Sequence, residues 1–219
     1  MTTLQPRLEI LPPAQRRLWS EFTESLPAGC VLYGGTALAL RTGSRESEDF
    51  DFFTNGPIDA HVLARTSRWL IGAQLLEAAP HTATFLVDRD GPVKVSFFGG
   101  LSLGRVGDVS RCGDTGVLVA SLLDLAAQKV RVVQVRAERK DYQDIATLMD
   151  HGVTLSMALG AAHALYSDFA PLVTLKALSY FADGDLGTLP TEIQERLAEA
   201  AAAVTSPGTV ARVSDRLDI

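Results

Sequence analysis

Two cysteines, Cys30 and Cys112, are all that the 219-residue chain contains. A disulfide framework needs more cysteines, and neither residue belongs to a pair with metal-ligand spacing. No stretch approaches the roughly 20 consecutive apolar residues of a membrane span. The first residues also lack the basic start and apolar core of a signal peptide. We therefore expect a cytoplasmic protein with no membrane partner and no cysteine-based zinc site.

Positive charge is scarce as well, because 20 Lys+Arg stand against 26 Asp+Glu and give a formal net charge of −6. An acidic chain is a poor general binder of nucleic acid, since non-specific affinity comes from neutralising phosphates. Binding of a nucleotide or RNA would therefore need basic residues concentrated in one place. Such a concentration exists between Lys129 and Lys140, where Glu138 is the single acid.

The pattern of apolar residues changes near Gly116. Before that point, short strand-like runs alternate with short helical ones, and after it only helical patterns follow. This predicts an α+β fold with two domains: a small mixed sheet flanked by helices over residues 1–116, and an all-helical C-terminal lobe over 117–219. The expected strands are 30–33, 49–53, 82–87 and 93–98, with one more in 99–116; the expected helices are 13–26, 36–41, 58–72, 117–136, 142–150, 155–166, 171–181 and 191–204.

Asp49 and Asp51 are the first candidate functional residues. On a strand, residues i and i+2 point to the same face, and their Cα atoms lie about 6–7 Å apart. Two carboxylates on one face could share a divalent cation, and Mg²⁺ favours carboxylates together with substrate phosphates. Phe50 and Phe52 would point into a core. The alternative is an edge strand with a solvated polar face.

Gly34, Gly35 and Thr36 end a predicted strand and open a predicted helix, 13 residues before Asp49. Glycine lets the backbone approach a ligand closely, and a helix N-terminus offers free N–H groups to phosphate. Thr36 could instead cap the helix, and the segment could be no more than a tight turn. The two common glycine-rich phosphate-binding patterns are both absent.

The order of these elements resembles the first motif of the DNA polymerase β-like nucleotidyltransferases. A strand leads into Gly34-Gly35 and a helix, and Asp49-x-Asp51 follows on the next strand. Longer segments are similar to the AbiEii branch of that group, from Tyr33 to Asp183. They are Tyr33–Arg41, Ser47–Phe53, Asp124–Lys129, Arg139–Ile145 and Leu175–Asp183.

This resemblance implies a polymerase β-like fold and a bacterial enzyme that moves a nucleotide from an NTP to an acceptor hydroxyl. In some members the acceptor is the end of a tRNA, so RNA is the expected partner. Such proteins are often the toxin of a toxin–antitoxin or phage-defence system, which implies a cognate antitoxin. In family terms Gly34, Gly35 and Thr36 would hold the triphosphate, and Asp49 and Asp51 would hold Mg²⁺.

The resemblance also places Lys129, Asp141 and Asp144 at later active-site positions. Lys129 lies inside an apolar helical stripe, so either it reaches out to solvent along its stem or the stripe faces a cleft that holds an anion. Arg136, seven residues on, could contact a second phosphate or mark a solvated helix end. Asp141 could be the N-cap of a helix that starts at Tyr142, whereas Asp144 has no capping role.

One departure from the family pattern concerns the strand 93–98. Polymerase β-like enzymes commonly carry a third carboxylate there, and Ser96 stands in its place. Lys94, on the same face, could contact phosphate or be a surface lysine. The substitution and the acidic net charge keep open a catalytically weak or inactive module that binds nucleotide or RNA. The acidic net charge also keeps open transfer to a cationic small molecule such as an aminoglycoside.

Overall fold

The computed structural model describes residues 2–24 and 26–218. Met1, Ser25 and Ile219 lie outside the described residues, as does the part of the predicted helix 13–26 that falls on Ser25. The chain divides into two compact units. The sheet unit comprises Met1–Gly104, Asp108–Ser121 and Ser214–Ile219, and the helical unit comprises Arg105–Gly107 and Leu122–Val213.

The sheet unit is built on eight strands, counted within the described residues. They are β1 (Thr2–Leu4), β2 (Val31–Tyr33), β3 (Asp49–Phe53), β4 (Gln74–Ala79), β5 (Thr82–Asp88), β6 (Pro92–Phe98), β7 (Ser110–Cys112) and β8 (Leu118–Val119). Their order across the sheet is β1-β7-β8-β2-β3-β6-β5-β4. The sheet is mixed, because β3 runs antiparallel to β2 and parallel to β6.

Three helices accompany these strands in the described part of the sheet unit: α1 (Pro13–Trp19), α2 (Gly34–Thr42) and α3 (Ala60–Thr66). The helical unit contains α4 (Leu122–Val132), α5 (Arg139–Asp150), α6 (Leu155–Leu165), α7 (Pro171–Ala177) and α8 (Thr191–Ala203). The α+β fold class expected from the sequence is confirmed. Among the described residues, no helix is long and apolar enough to cross a lipid bilayer.

Three parts of the sheet differ from the sequence-based expectation, and the first is β1, which is not among the expected strands. Strand β4 was not expected, because its sequence lacks the alternation of apolar and polar residues that marks a half-buried strand. In the structure all six of its residues are exposed. Strand β8 lies where a helix was expected to begin at Val117, and α4 begins at Leu122 instead. Apart from Arg105–Gly107, the sheet unit thus continues to Ser121, and the proposed domain boundary at Gly116 stays a prediction.

An aromatic cluster fixes the orientation of β3. Phe50 and Phe52 are both fully buried, and Phe22 packs edge-on against each, with ring centroids 5.0 and 5.5 Å away. Phe52 also stacks on Phe97 of β6 at 5.3 Å. Because side chains alternate along a strand, this core turns Asp49 and Asp51 to the opposite face.

Candidate active site

Asp49 and Asp51 lie side by side on the face of β3 opposite the aromatic core, and both are partly exposed. The sheet register gives each of them a defined neighbour. Asp51 stands opposite Tyr33 of β2 and next to Ser96 of β6, and Asp49 stands next to Lys94. The predicted common face of the two aspartates is therefore confirmed.

The Gly34–Gly35 turn carries the chain from β2 directly into α2, whose first residue is Gly34. Gly34 has a φ of 70°, in the left-handed region that favours glycine. A Cβ atom at this position would lie 2.5 Å from Oδ2 of Asp51. The missing side chain thus lets the N-terminus of α2 approach the carboxylate of Asp51.

Thr36 has a structural partner in the chain itself. Its side chain is fully buried, its hydroxyl donates to the backbone carbonyl of Asp49, and it accepts from Nε2 of Gln15 at 3.2 Å. The expectation that Thr36 caps the helix is wrong, because α2 begins at Gly34 with Tyr33 as the N-cap. The backbone N–H groups of the first turn, those of Gly35 and Thr36 included, are the ones that a helix leaves unpaired.

Lys94 forms an ion pair across two strands, with Nζ 2.8 Å from Oδ2 of Asp49 and both side chains 42% exposed. The hydrogen bond to Asp49 raises the pKa of Lys94 above its ordinary value. Ser96 is buried beside Asp51 and accepts a hydrogen bond from Thr84 at 3.3 Å. The position at which the family pattern has a third carboxylate is thus occupied by Ser96, an uncharged residue whose hydroxyl is hydrogen-bonded within the protein. A cation, Lys94, lies two residues away on the same face of β6.

Arg45 and Ser47 also lie at the Gly34–Gly35 turn, and neither is among the site residues predicted from the sequence. The loop after α2 returns over Gly35, where a Cβ atom would lie 2.7 Å from Oγ of Ser47 and 3.1 Å from Nη2 of Arg45. One feature of the sequence could have identified them: Arg45 and Ser47 stand at every second position before Asp49 and Asp51, and alternate residues of an extended chain lie on the same side. These positions are all partly buried, whereas Glu46 and Glu48 between them are exposed.

The second set of candidates forms a buried charged cluster in the helical unit. Nζ of Lys129 on α4 lies 2.8 Å from Oδ1 of Asp141 and 2.6 Å from Oδ2 of Asp144, both on α5. Arg136 adds a two-pronged contact to Asp141, with Nε and Nη2 at 2.7 and 3.1 Å. We call these four residues the α4–α5 charge cluster.

The surroundings of this cluster change the interpretation of its members. Lys129 is 5% exposed, so it does not reach solvent, and its partners are two carboxylates of the same unit. Asp141 is not an N-cap, because α5 begins at Arg139 with Glu138 before it. Burial acts to raise the pKa of Asp141, but Arg136 and Lys129 together hold that pKa below its ordinary value. The catalytic roles of Lys129, Asp141 and Asp144 stay predictions.

Replacing Gly34 with alanine is expected to reduce nucleotide binding at this turn at least tenfold. The substitution forces an L side chain into the left-handed region, at a cost of about 1–2 kcal/mol, and drives its Cβ into Asp51. Titration with a nucleoside triphosphate, alongside thermal melts, measures both effects. Gly56→Ala is the matched control, because its Cβ would meet only Oγ1 of Thr54, at 3.5 Å. Equal binding by the Gly34→Ala protein would contradict the role of this turn.

Comparison with known proteins gives three results. The model of the nucleotidyl transferase AbiEii toxin family, a type IV toxin–antitoxin system, matches residues 17–103. An uncharacterized protein of Aquifex aeolicus strain VF5, aq_aa25, is 32% identical over 155 residues, which cover 69% of this chain and 73% of that protein. The crystal structure of a candidate nucleotidyltransferase from H. pylori has a TM-score of 0.55 at 19% identity, over 86% of this chain and 90% of the other.

The match to the family model includes the whole of the site on the sheet unit, from the Gly34–Gly35 turn to the aspartates and Lys94. The likeness to the H. pylori structure concerns the fold, which the two chains share over most of their lengths. The chain belongs to the AbiEii nucleotidyl transferase toxin family and is a nucleotidyltransferase.

Proposed function

We propose that this enzyme transfers a nucleotide from an NTP to a hydroxyl of an RNA acceptor, tRNA being the expected one, in an Mg²⁺-dependent reaction. One observation carries the proposal: the N-terminus of α2 meets the carboxylate of Asp51, which shares a partly exposed face of β3 with Asp49, and only glycine at position 34 allows this approach. A helix N-terminus suits phosphate, and paired carboxylates suit a hard cation. A nucleoside triphosphate with its metal brings both.

The two carboxylates of Asp49 and Asp51 fit a metal ion that binds together with its nucleotide. Among the described residues, no group of three or more His, Cys, Asp or Glu side chains could hold an ion by itself. Asp49 and Asp51 provide two carboxylates, and Mg²⁺ is commonly held by one or two carboxylates plus substrate phosphates. When bound there, Mg²⁺ would supply positive charge against the phosphates during transfer.

The residues of the chain would then bind and orient the substrate. The N–H groups of Gly35 and Thr36 and the guanidinium of Arg45 would hold the triphosphate, with Lys94 as a further cation. The acceptor oxygen forms a bond to the α-phosphorus, the bond from that phosphorus to the departing pyrophosphate breaks, and the hydroxyl proton passes to solvent. Positioning and electrostatics account for most catalysis of this kind.

For Lys129, Asp141 and Asp144 we propose a positioning role. Each has its charge neutralised by another member of the α4–α5 charge cluster, and all three are buried. The cluster joins α4 to α5 and holds the guanidinium of Arg136 in one orientation.

The biological role proposed for the protein is that of a toxin with a cognate antitoxin. The support comes from the family, which is described as the toxin of a type IV toxin–antitoxin system. Modification of RNA acceptor ends would arrest translation and so account for toxicity. Co-expression with the neighbouring gene, compared with expression alone, tests this role through growth of the host.

Removal of Lys94 is expected to change the affinities for nucleotide and for free metal in opposite directions. Lys94→Ala deletes a charge-assisted contact to phosphate, so NTP affinity falls about 10- to 100-fold. The same change frees Asp49 of its ammonium partner, so Mn²⁺ without nucleotide binds more tightly. Calorimetric titration and Mn²⁺ electron paramagnetic resonance measure the two. Lys140→Ala removes an exposed lysine of the helical unit and serves as control. If the affinities for NTP and for free Mn²⁺ changed in the same direction, the proposed role of Lys94 in the site would be contradicted.

The proposed function is tested with each α-labelled NTP, Mg²⁺ and total RNA. Label on RNA, abolished by Asp49→Asn, supports it, and label on an added aminoglycoside would change the acceptor class. The buried Ser96 in the third-carboxylate position favours a second candidate, a non-catalytic nucleotide-binding module. NTP binding with no label on any acceptor would support that second candidate.

A further inference from the structure

The helical unit contains a cavity of about 480 Å³ that the transfer chemistry above does not use. One wall is the chain that follows α4, with Val135 and Arg136, and the other is the end of α7 and its continuation, with Lys176 and Tyr180. This second wall belongs to Leu175–Asp183, the one family-like segment to which no role has been given. The volume lies within the 300–1,000 Å³ of small-ligand sites.

The walls of this pocket are tied together. The hydroxyl of Tyr142, which lines the pocket, donates to the carbonyl of Ala177 at 3.3 Å, and its ring packs edge-on against Phe181 with centroids 6.1 Å apart. Beyond them, Gly184 has a φ of 56° and lies so close to the carbonyl of Ala137 that a side chain there would collide with it. The pocket is therefore built into the fold and needs no ligand to form it.

Two cations, Arg136 and Lys176, and one acid, Asp183, line the pocket, so an anion would bind on the side of the two cations. Arg136 is held by both carboxylate oxygens of Asp141, so its guanidinium is oriented before any ligand arrives. Lys176, on the other wall of the pocket, is exposed. A phosphate could pair with both residues, since both donate charge-assisted hydrogen bonds.

Beside these cations lies exposed apolar and aromatic surface. Tyr180 is 57% exposed, and Val135 and Val173 are 84% and 44% exposed. Unstacked bases of single-stranded RNA stack on aromatic side chains, while basic groups follow the backbone. An acidic peptide would use the cations but would leave the ring of Tyr180 without a planar partner.

We propose that this pocket binds one nucleotide of the RNA acceptor strand, with the base against Tyr180 and the phosphate at Arg136 and Lys176. The inference rests on the proposed function, because it names the place where the RNA substrate is held. A free nucleotide offers the same chemistry, and the experiment below separates the two sources.

The test is fluorescence anisotropy of a labelled single-stranded oligoribonucleotide with the full-length protein, without NTP or metal. Tyr180→Ala and Lys176→Ala are each expected to weaken RNA binding about tenfold, and Tyr180→Phe is expected to bind like the parent because it keeps the ring. Arg65→Ala removes an exposed cation of the sheet unit, outside the pocket, and is expected to have no effect. Thermal melts check that each variant is folded, and millimolar ATP is expected not to displace the RNA.

Two results would overturn the inference. RNA binding by Tyr180→Ala and Lys176→Ala that equals the parent's would show that the pocket does not hold RNA, and displacement of the RNA by ATP would assign the pocket to a free nucleotide. A transfer assay with the same variants separates the two proposals. Normal transfer to RNA by both variants would contradict only the pocket, whereas no RNA binding and no RNA labelling by the parent would contradict the proposed function itself.

Discussion

Replacing Asp49 or Asp51 with asparagine is expected to reduce nucleotidyl transfer by about 10²–10³-fold or more, with no fall in melting temperature. Removal of one positioned electrostatic group from an active site has effects of this order. Both side chains lie on the face of β3 turned away from the aromatic core, so the substitutions leave its packing intact. The ion pair of Asp49 with Lys94 is too exposed to contribute more than about 1 kcal/mol.

Parallel transfer assays and melting curves measure these two effects. Glu48→Gln is a closely matched control, because it removes the same charge from an exposed position adjacent to Asp49. We expect it to retain full activity. Normal turnover by either asparagine variant would remove the aspartate pair from the mechanism, and with it the metal site that we propose.

Replacement of Lys129 with alanine is expected to destabilise the helical unit by about 3–5 kcal/mol. Loss of one partner from a buried ion pair leaves an uncompensated buried charge, and the reported effects are of that size. Here the ammonium group has two carboxylate partners, Asp141 and Asp144, which are both fully buried. Denaturant unfolding of the full chain, followed by circular dichroism, measures the free energy of unfolding.

The charge-compensated double variant Lys129→Met, Asp144→Asn provides the internal control. It removes one charge of each sign, and we expect it to recover most of the stability that Lys129→Ala loses. Lys140→Ala, at an exposed position, is expected to change the free energy of unfolding by less than about 0.5 kcal/mol. A stable Lys129→Ala protein with weakened NTP binding would instead support a direct contact between Lys129 and the triphosphate.

The strand that carries the aspartates could be predicted from the sequence, because its signals are local. Alternation of aspartate with phenylalanine fixes which face of β3 is buried, and the same alternation could have identified Arg45 and Ser47. Strand β4 had no such signal, since both of its faces are exposed.

The sequence pattern could not predict contacts between side chains and distant parts of the chain. The hydroxyl of Thr36 binds the carbonyl of Asp49, which depends on how α2 packs on β3. Lys129 was expected in a stripe facing solvent or a ligand, whereas its partners come from α5, twelve or more residues along the chain. Helical periodicity shows which face of a helix is apolar but does not show which side chains face it.

We propose that the Gly34–Asp51 site transfers the nucleotide part of an NTP to RNA. Its most direct test is a single-turnover reaction with the same NTP labelled at either the α- or the γ-phosphate, in the presence of Mg²⁺ and RNA. We expect α-label on the RNA, γ-label in released pyrophosphate, and neither product with Asp51→Asn. Transfer of the γ-label to any acceptor, or α-label on RNA at the parent level with Asp51→Asn, would contradict the claim.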